Sequence, residues 1–181
     1  SIAPVFIYNY IGIKPGDLYD ESLVSRISNR LSELAFVREV RENRIIFTDT
    51  ETKLELFLEN KKASQFDGIL GLLPDENNAG KYKVTGEAHI KLQNSLQRGE
   101  IIELNWKQLP SSSQDLKLRA LYPFLLNTPF GIDAYLSIFK KDSTYLDVIK
   151  SLGIQYSFSG NNFIKAFVKD KKSDLQSSKG L

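Results

Sequence analysis

From Ser64 onward, apolar and polar residues alternate with a period of two. The clearest stretch is Lys81 to Gln93, where Tyr82, Val84, Gly86, Ala88, Ile90 and Leu92 share one parity while Lys83, Thr85, Glu87, His89 and Lys91 share the other. Side chains on a strand point alternately to its two faces, so this pattern predicts a β-strand with one apolar and one polar side. It recurs with Ile102, Leu104 and Trp106 against Glu103, Asn105 and Lys107, then with Leu116, Leu118, Ala120 and Tyr122 against Asp115, Lys117 and Arg119. Further strands follow at Ile132 to Ile138, Leu146 to Phe158 and Phe163 to Lys169. The links Pro74 to Gly80, Asn94 to Arg98, Pro110 to Ser113, Asn127 to Pro129, Lys141 to Ser143 and Ser159 to Asn162 are short and rich in turn formers. Short links join antiparallel neighbours, so a meander of about seven strands is expected over 65–170.

The first third carries mixed periods. Val5 to Ile11 is rich in β-formers and reads as a strand ending at the turn Lys14-Pro15-Gly16-Asp17. Leu23, Val24, Ile27, Leu31 and Leu34 then recur at helical spacing, with Asp17 or Asp20 as the start cap. Val40 to Thr48 and Thr52 to Glu59 read as two strands. The expectation is an α+β chain: a βααββ unit over 1–60 that packs Val24, Ile27, Leu31 and Leu34 on Ile45, Phe47, Leu54, Leu56 and Leu58, then the meander, then a tail at 171–181 that reads as truncated.

Composition narrows the chemistry. The 24 Lys and Arg nearly balance the 22 Asp and Glu, and no basic cluster is interleaved with aromatics, which argues against a nucleic-acid partner. There is no cysteine and one histidine, His89, so neither a disulfide framework nor a multi-histidine metal cluster is available. No cofactor is expected. Glu87, His89, Asp115, Lys117 and Arg119 could share one face, but they form no oriented catalytic constellation, and Ser111-Ser112-Ser113 has no nucleophile context. The chain is therefore read as a non-enzyme.

The faces of the meander decide between a soluble and a membrane setting. The polar face is charged on consecutive strands, and after residue 60 no helical segment remains to cover the apolar one. That apolar face mixes Leu, Ile and Val with Gly86, Ala88, Ala120 and Ala134, and places Tyr82, Trp106, Tyr122, Tyr156 and Phe158 near strand ends. An apolar band bordered by aromatics opposite a polar lumen suits a barrel wall in lipid. The expected lipid-facing residues are Val84, Ala88, Ile90, Leu104, Trp106, Leu118, Leu136 and Ile154, and the expected lumen residues are Lys83, Glu87, Asn105, Lys117 and Asp133. Lys150 falls on the lipid side, where a place near the membrane edge would let its amine snorkel. The alternative is a soluble two-domain binding protein with a β-sandwich or lipocalin-like second domain, in which Val84, Ile90, Leu104 and Leu118 would be buried together. A barrel hydrolase or passive porin is a weaker third reading.

Several segments resemble the BamA/TamA-like outer-membrane assembly and secretion superfamily. Tyr10-Ile11-Gly12-Ile13-Lys14-Pro15-Gly16-Asp17-Leu18-Tyr19-Asp20-Glu21 through Leu31, then Phe36-Val37-Arg38-Glu39-Val40, looks like its periplasmic POTRA module. Gln65-Phe66-Asp67-Gly68-Ile69-Leu70-Gly71 resembles the entry to the first barrel strand, and Arg98-Gly99-Glu100, Tyr122-Pro123-Phe124-Leu125-Leu126-Asn127-Thr128-Pro129-Phe130-Gly131, Lys141-Asp142-Ser143-Thr144 and Phe158-Ser159-Gly160-Asn161-Asn162 continue the likeness. The resemblance implies a bacterial outer-membrane protein, its N-terminal domain periplasmic, that inserts or translocates polypeptides. Implied partners are outer-membrane lipid, unfolded or secreted polypeptide clients, and periplasmic proteins or lipoproteins. Clients would add to an edge strand at Arg44, Ile45, Ile46 and Phe47. Phe66, Asp67, Gly68, Ile69, Leu70 and Gly71 would form one side of a barrel seam. In that orientation Pro74 to Gly80, Pro110 to Ser113 and Lys141 to Ser143 would be extracellular, and the other three links periplasmic.

Overall fold

The structure, a computed structural model, describes residues 2–75, 80–109, 113–141 and 144–175. The chain opens with three short helices, α1 (Pro4–Ile11), α2 (Glu21–Val24) and α3 (Ile27–Ser32). Two strands, β1 (Val37–Phe47) and β2 (Thr52–Asn60), pair as an antiparallel hairpin. Seven more follow: β3 (Gln65–Pro74), β4 (Tyr82–Gln93), β5 (Ile101–Gln108), β6 (Gln114–Tyr122), β7 (Phe130–Lys141), β8 (Tyr145–Ser159) and β9 (Asn162–Leu175). They form one sheet in which each strand pairs antiparallel with its chain neighbours.

This corrects the expected fold class. The βααββ unit leading into barrel strands is overturned: the molecule is mostly antiparallel β, 61% strand and 13% helix, and it begins with a helix where a strand was expected. The reason lies in α1. Pro4 occupies the first turn, where its missing N–H costs nothing, and Gly12 closes the helix in the left-handed region at φ 73° with its N–H donating to the Tyr8 carbonyl. Between them Phe6, Ile7, Tyr10 and Ile11 are buried, a helical spacing that outweighs the β propensity of each residue. Of the two start caps expected, Asp17 and Asp20, the structure uses Asp20, whose carboxylate accepts the Ser22 and Leu23 N–H groups at 2.8 and 3.3 Å.

The hydrophobic core belongs to the helical unit. Phe6, Ile7, Tyr10, Ile11, Ile27, Leu31, Leu34, Phe36 and Val37 are buried together, with Leu54, Leu56 and Leu58 of β2 packed against them. Phe47 departs from its expected place there. It is 65% exposed and meets Tyr19 edge-on at 5.2 Å between ring centroids. Arg30 of α3 donates to the Ile11 carbonyl at the C-terminal end of α1, where a cation suits the helix dipole. Among the described residues the one other core member is Phe124, from the link between β6 and β7, and no described residue of β3 to β9 belongs to the core.

Phe124 is one of several contacts that seat the helical unit on one end of the large sheet. Three links lie at that end, 94–100, 123–129 and 159–162. Ala3 N–H donates to the Gln97 carbonyl at 3.0 Å, Phe6 packs against Phe124 at 5.6 Å, and Gly160 N–H donates to the Tyr10 carbonyl at 2.7 Å. A methyl group at Gly99 would overlap the Phe6 ring. Gly99 also sits at φ 75°, a region that costs any other residue about 1 kcal/mol. Gly80 has a similar φ of 83° but open space around it. Replacing Gly80 by Ala is expected to cost about 1 kcal/mol, and Gly99→Ala a further ~1–3 kcal/mol from overpacking on Phe6. Denaturant unfolding of the two variants side by side measures that difference, and equal losses would deny the Phe6 contact its role.

Candidate functional site: a two-faced sheet with one docked end

The register sorts the side chains of β3 to β9 onto two faces. Ile90, Leu104, Leu118 and Leu136 stand directly opposite one another across four strands, and Ala88 is paired with Trp106. Ile154, opposite Ile132, and Val84 lie on the same face, so the structure brings all eight expected lipid-facing residues together. Phe66, Leu70 and Leu72 of β3 extend this apolar face, as do Ile164, Ala166 and Val168 of β9. Its border toward the helical unit is aromatic: Phe130 meets Tyr156 edge-on at 5.1 Å, and Tyr156 meets Phe158 in the same way at 5.2 Å.

The opposite face is an array of ion pairs. Lys107 reaches Glu87 at 3.2 Å, Lys91 reaches Glu103 at 3.4 Å, Lys117 reaches Asp115 at 2.7 Å and Lys171 reaches Asp147 at 3.3 Å. Asp133 holds the most connected group. Its two oxygens accept from Arg119 Nε and Nη2 at 3.2 and 2.9 Å, and Lys165 completes the triad from β9. Gly153 is the residue of β8 between Asp133 and Phe167, so no side chain stands in the path that Lys165 takes across that strand. The expected lumen residues Lys83, Glu87, Asn105, Lys117 and Asp133 all lie on this face.

Burial is inverted with respect to a water-soluble sheet. Along β8, Leu152 and Ile154 are 61% and 59% exposed, while Gln155 and Ser157 are 7% and 6% exposed. Val84 is 52% exposed, and Ile90, Leu104 and Leu118 are half-buried and outside the core. The arrangement that a soluble sandwich or cup requires, these four buried together under a second sheet, does not occur among the described residues.

The remaining candidates occupy edges. Arg44, Ile45, Ile46 and Phe47 lie at the end of β1 opposite Glu55, Leu54, Lys53 and Thr52, and the strand is bulged between Glu39 and Arg44. Arg44 is tied to Glu55 at 2.6 Å. Phe66, Asp67, Gly68, Ile69, Leu70 and Gly71 lie on β3, which among the described residues pairs with β4 alone and leaves its other edge free. Among the described residues, no group of three or more His, Asp or Glu is placed to hold a metal ion. The expected loops at 76–79, 110–112 and 142–143, Ser111 and Ser112 among them, lie outside the described residues, as does the tail beyond Leu175.

Sequence reasoning missed the docked end. Glu33 accepts both the Tyr10 hydroxyl, at 2.9 Å, and the Asn161 N–H, at 3.1 Å, and so clamps α1, α3 and the last hairpin together. Glu100 is buried and shapes the β4–β5 link by accepting the Leu96 and Arg98 N–H groups, while Arg98 crosses to Asn127 in the next link at 3.2 Å. The positive-φ residues Asn94, Gln97, Phe124, Leu126 and Asn127 gather in these same links. The one local signal was Gly99-Glu100, a glycine beside an acid in a turn.

A scan of protein-family models and a search of curated proteins found no match to the chain.

Burial, reinforced by the hydrogen bond to Glu33, pushes the Tyr10 phenol well above the ordinary tyrosine value. The fold thus favours the protonated phenol. Its contribution is complete below about pH 10, the value in an unfolded chain, and is lost as pH rises from there toward the folded value. Tyr10→Phe is expected to lose stability less steeply than the parent between about pH 10 and 11.5, as measured by denaturant unfolding at a series of pH values. Parallel slopes for the two proteins would count against the clamp. On the polar face, Asp133→Asn strips two cations of their partner and should cost about 1–3 kcal/mol, read from urea unfolding.

Proposed function

We propose that the chain is part of an outer-membrane β-barrel protein that inserts or translocates polypeptides without a nucleotide cofactor. In this reading the seven-stranded sheet is a section of the barrel wall, and the helical unit lies on the periplasmic side. One observation carries the membrane half of the proposal: from Leu152 to Phe158 of β8 the large apolar residues are the exposed ones, and Gln155 and Ser157 between them are buried. In water that choice forfeits burial worth roughly 1.5–3 kcal/mol for each large side chain, and in lipid it costs nothing.

Two geometric features support it. Partners traced across the sheet from Gln65, the first residue of β3, run through Lys91, Glu103, Arg119, Tyr135 and Ser151 to Lys169, seven residues past the start of β9 at Asn162. Seven residues at ~3.4 Å each, against six interstrand steps of ~4.8 Å, correspond to a strand tilt of about 40°. Membrane barrels tilt by roughly 35–45°. The apolar face also has a nearly level upper border. Counting from the docked end, its first polar residue is Gln108 in β5, Gln114 in β6, Lys140 in β7, Lys150 in β8 and Asp170 in β9, seven to ten residues along each of these five strands, while β3 and β4 carry no polar residue on this face. With that tilt the border stands about 18–26 Å above the docked end, close to the ~25 Å apolar belt of a membrane barrel.

Because the strands alternate in direction, β3 and β9 run the same way. Antiparallel closure therefore needs at least one further strand from beyond the described residues. Among the described residues both edges offer unpaired backbone groups, to which an extended polypeptide can add with little sequence preference. The handling of polypeptide clients rests on that chemistry and on the resemblance to the BamA/TamA-like superfamily.

Fractionation of the full-length protein tests the membrane half. It is expected in the outer-membrane fraction, resistant to high salt and alkaline carbonate and released by detergent. Recovery from the aqueous periplasmic extract would sink the proposal and favour a soluble binding protein.

A further inference from the structure

The lysines of the two faces are treated differently. On the polar face Lys83, Lys91, Lys107, Lys117, Lys165 and Lys171 each hold a carboxylate, while Lys141 and Lys169 hold none among the described residues. On the apolar face Lys140, Lys150 and Lys172 are all exposed, and none has an ion pair among the described residues. Acceptors are nearby: Asp170 stands directly opposite Lys150, and Asp174 lies two residues beyond Lys172 on the same face. Neither carboxylate is ion-paired to an amine among the described residues.

Their height is also fixed. Lys150 follows directly on the apolar run Tyr156, Ile154 and Leu152, and its neighbour across β7 is Leu136. Lys172, opposite Val148, is one step higher and diagonal to Lys150. Diagonal neighbours on a sheet face lie about 7–8 Å apart, so two flexible amines at such positions can close on one small anion between them. Lys140 stands higher again on β7, opposite Leu146. A lysine at such a height can lay its butylene stem on apolar surface and carry its charge to the level where hydrocarbon ends.

We propose that Lys150 and Lys172 grip the phosphate of an anionic lipid head group at the upper border of the apolar face, with Lys140 flanking the same site. The inference rests on the membrane reading above. A lipid fits better than a soluble phosphate because its acyl chains would lie on Leu152, Ile154 and Val168, directly below the two amines. Asp170 weakens the site through repulsion and sets an upper limit on its selectivity.

The test uses the full-length protein reconstituted into phosphatidylcholine vesicles containing a minor fraction of spin-labelled lipid, either phosphatidylglycerol or phosphatidylcholine. The motionally restricted component of the spectrum reads the lipid held at the protein surface. The parent is expected to prefer phosphatidylglycerol by about fivefold, the effect of one net interfacial charge when Asp170 offsets one of the two lysines, and to lose most of that preference in high salt. Lys150→Gln/Lys172→Gln should abolish the preference, Asp170→Asn should raise it, and each should leave insertion intact. A double variant that inserts normally and keeps the full preference overturns the inference and leaves the membrane reading standing. Competition by free glycerol phosphate at equal concentration would also overturn it, because a soluble phosphate would then be the ligand. Failure of parent and variants alike to insert into any vesicle would refute the membrane reading on which the site depends.

Discussion

The backbone hydrogen-bond register of the large sheet is the constraint on which everything else depends. Because the side-chain period is two, a slip of one residue between any pair of strands would carry every leucine and isoleucine of one to the charged side of the next. From β3 to β8 the pairing runs without a bulge, and the single irregularity, between Ser157 and Ser159, falls beside the last docked link. The unbroken register aligns the apolar row from Ile90 to Leu136, sets Asp133 within reach of Arg119 and Lys165, and levels the border on which Lys150 and Asp170 lie.

Stability is distributed unevenly over this frame. The helical unit has a conventional core, with Ile27 and Leu31 almost fully enclosed. The sheet has none and relies on its ladders of backbone bonds, its ion pairs and its surroundings. Most of the ion pairs are partly exposed and contribute little each; the Asp133 triad differs because its carboxylate is largely enclosed and accepts from two cations. The two parts meet at three links and one clamp centred on Glu33. Unusual backbone conformations collect there because tight links that also carry an interface have few ways to turn.

The strands β4 to β8 were legible in the sequence because alternation is a local signal and the links between them carry Pro, Gly, Asn and Ser. The division of faces followed from the same signal, which is why residues as far apart as Val84 and Ile154 could be assigned to one side. Helix α1 was not legible in that way. Valine, phenylalanine, isoleucine and tyrosine favour strands singly, and the decisive marks were Pro4 and Gly12 at its two ends, together with the spacing of residues 6, 7, 10 and 11. Phe47 was misplaced because an apolar residue at the end of a hairpin can find a partner outside the core, here Tyr19. The docked end was invisible for a different reason. Tyr10, Glu33 and Asn161 meet only in three dimensions, and no local pattern encodes a contact across so many residues.

That separation has a kinetic side. Every pairing within the large sheet joins strands adjacent in the chain, so the sheet can grow hairpin by hairpin with short loops to close. The bond from Gly160 to the Tyr10 carbonyl is of another kind, since it closes a loop that contains nearly the whole chain between its first helix and its last hairpin. Its entropic cost falls steeply once the intervening strands are in place, because the ordered sheet then holds the two partners close. The helical unit thus emerges before the sheet during synthesis and finds its seat after it, and until the hairpin of β8 and β9 forms it remains a tethered body with its docking surface open.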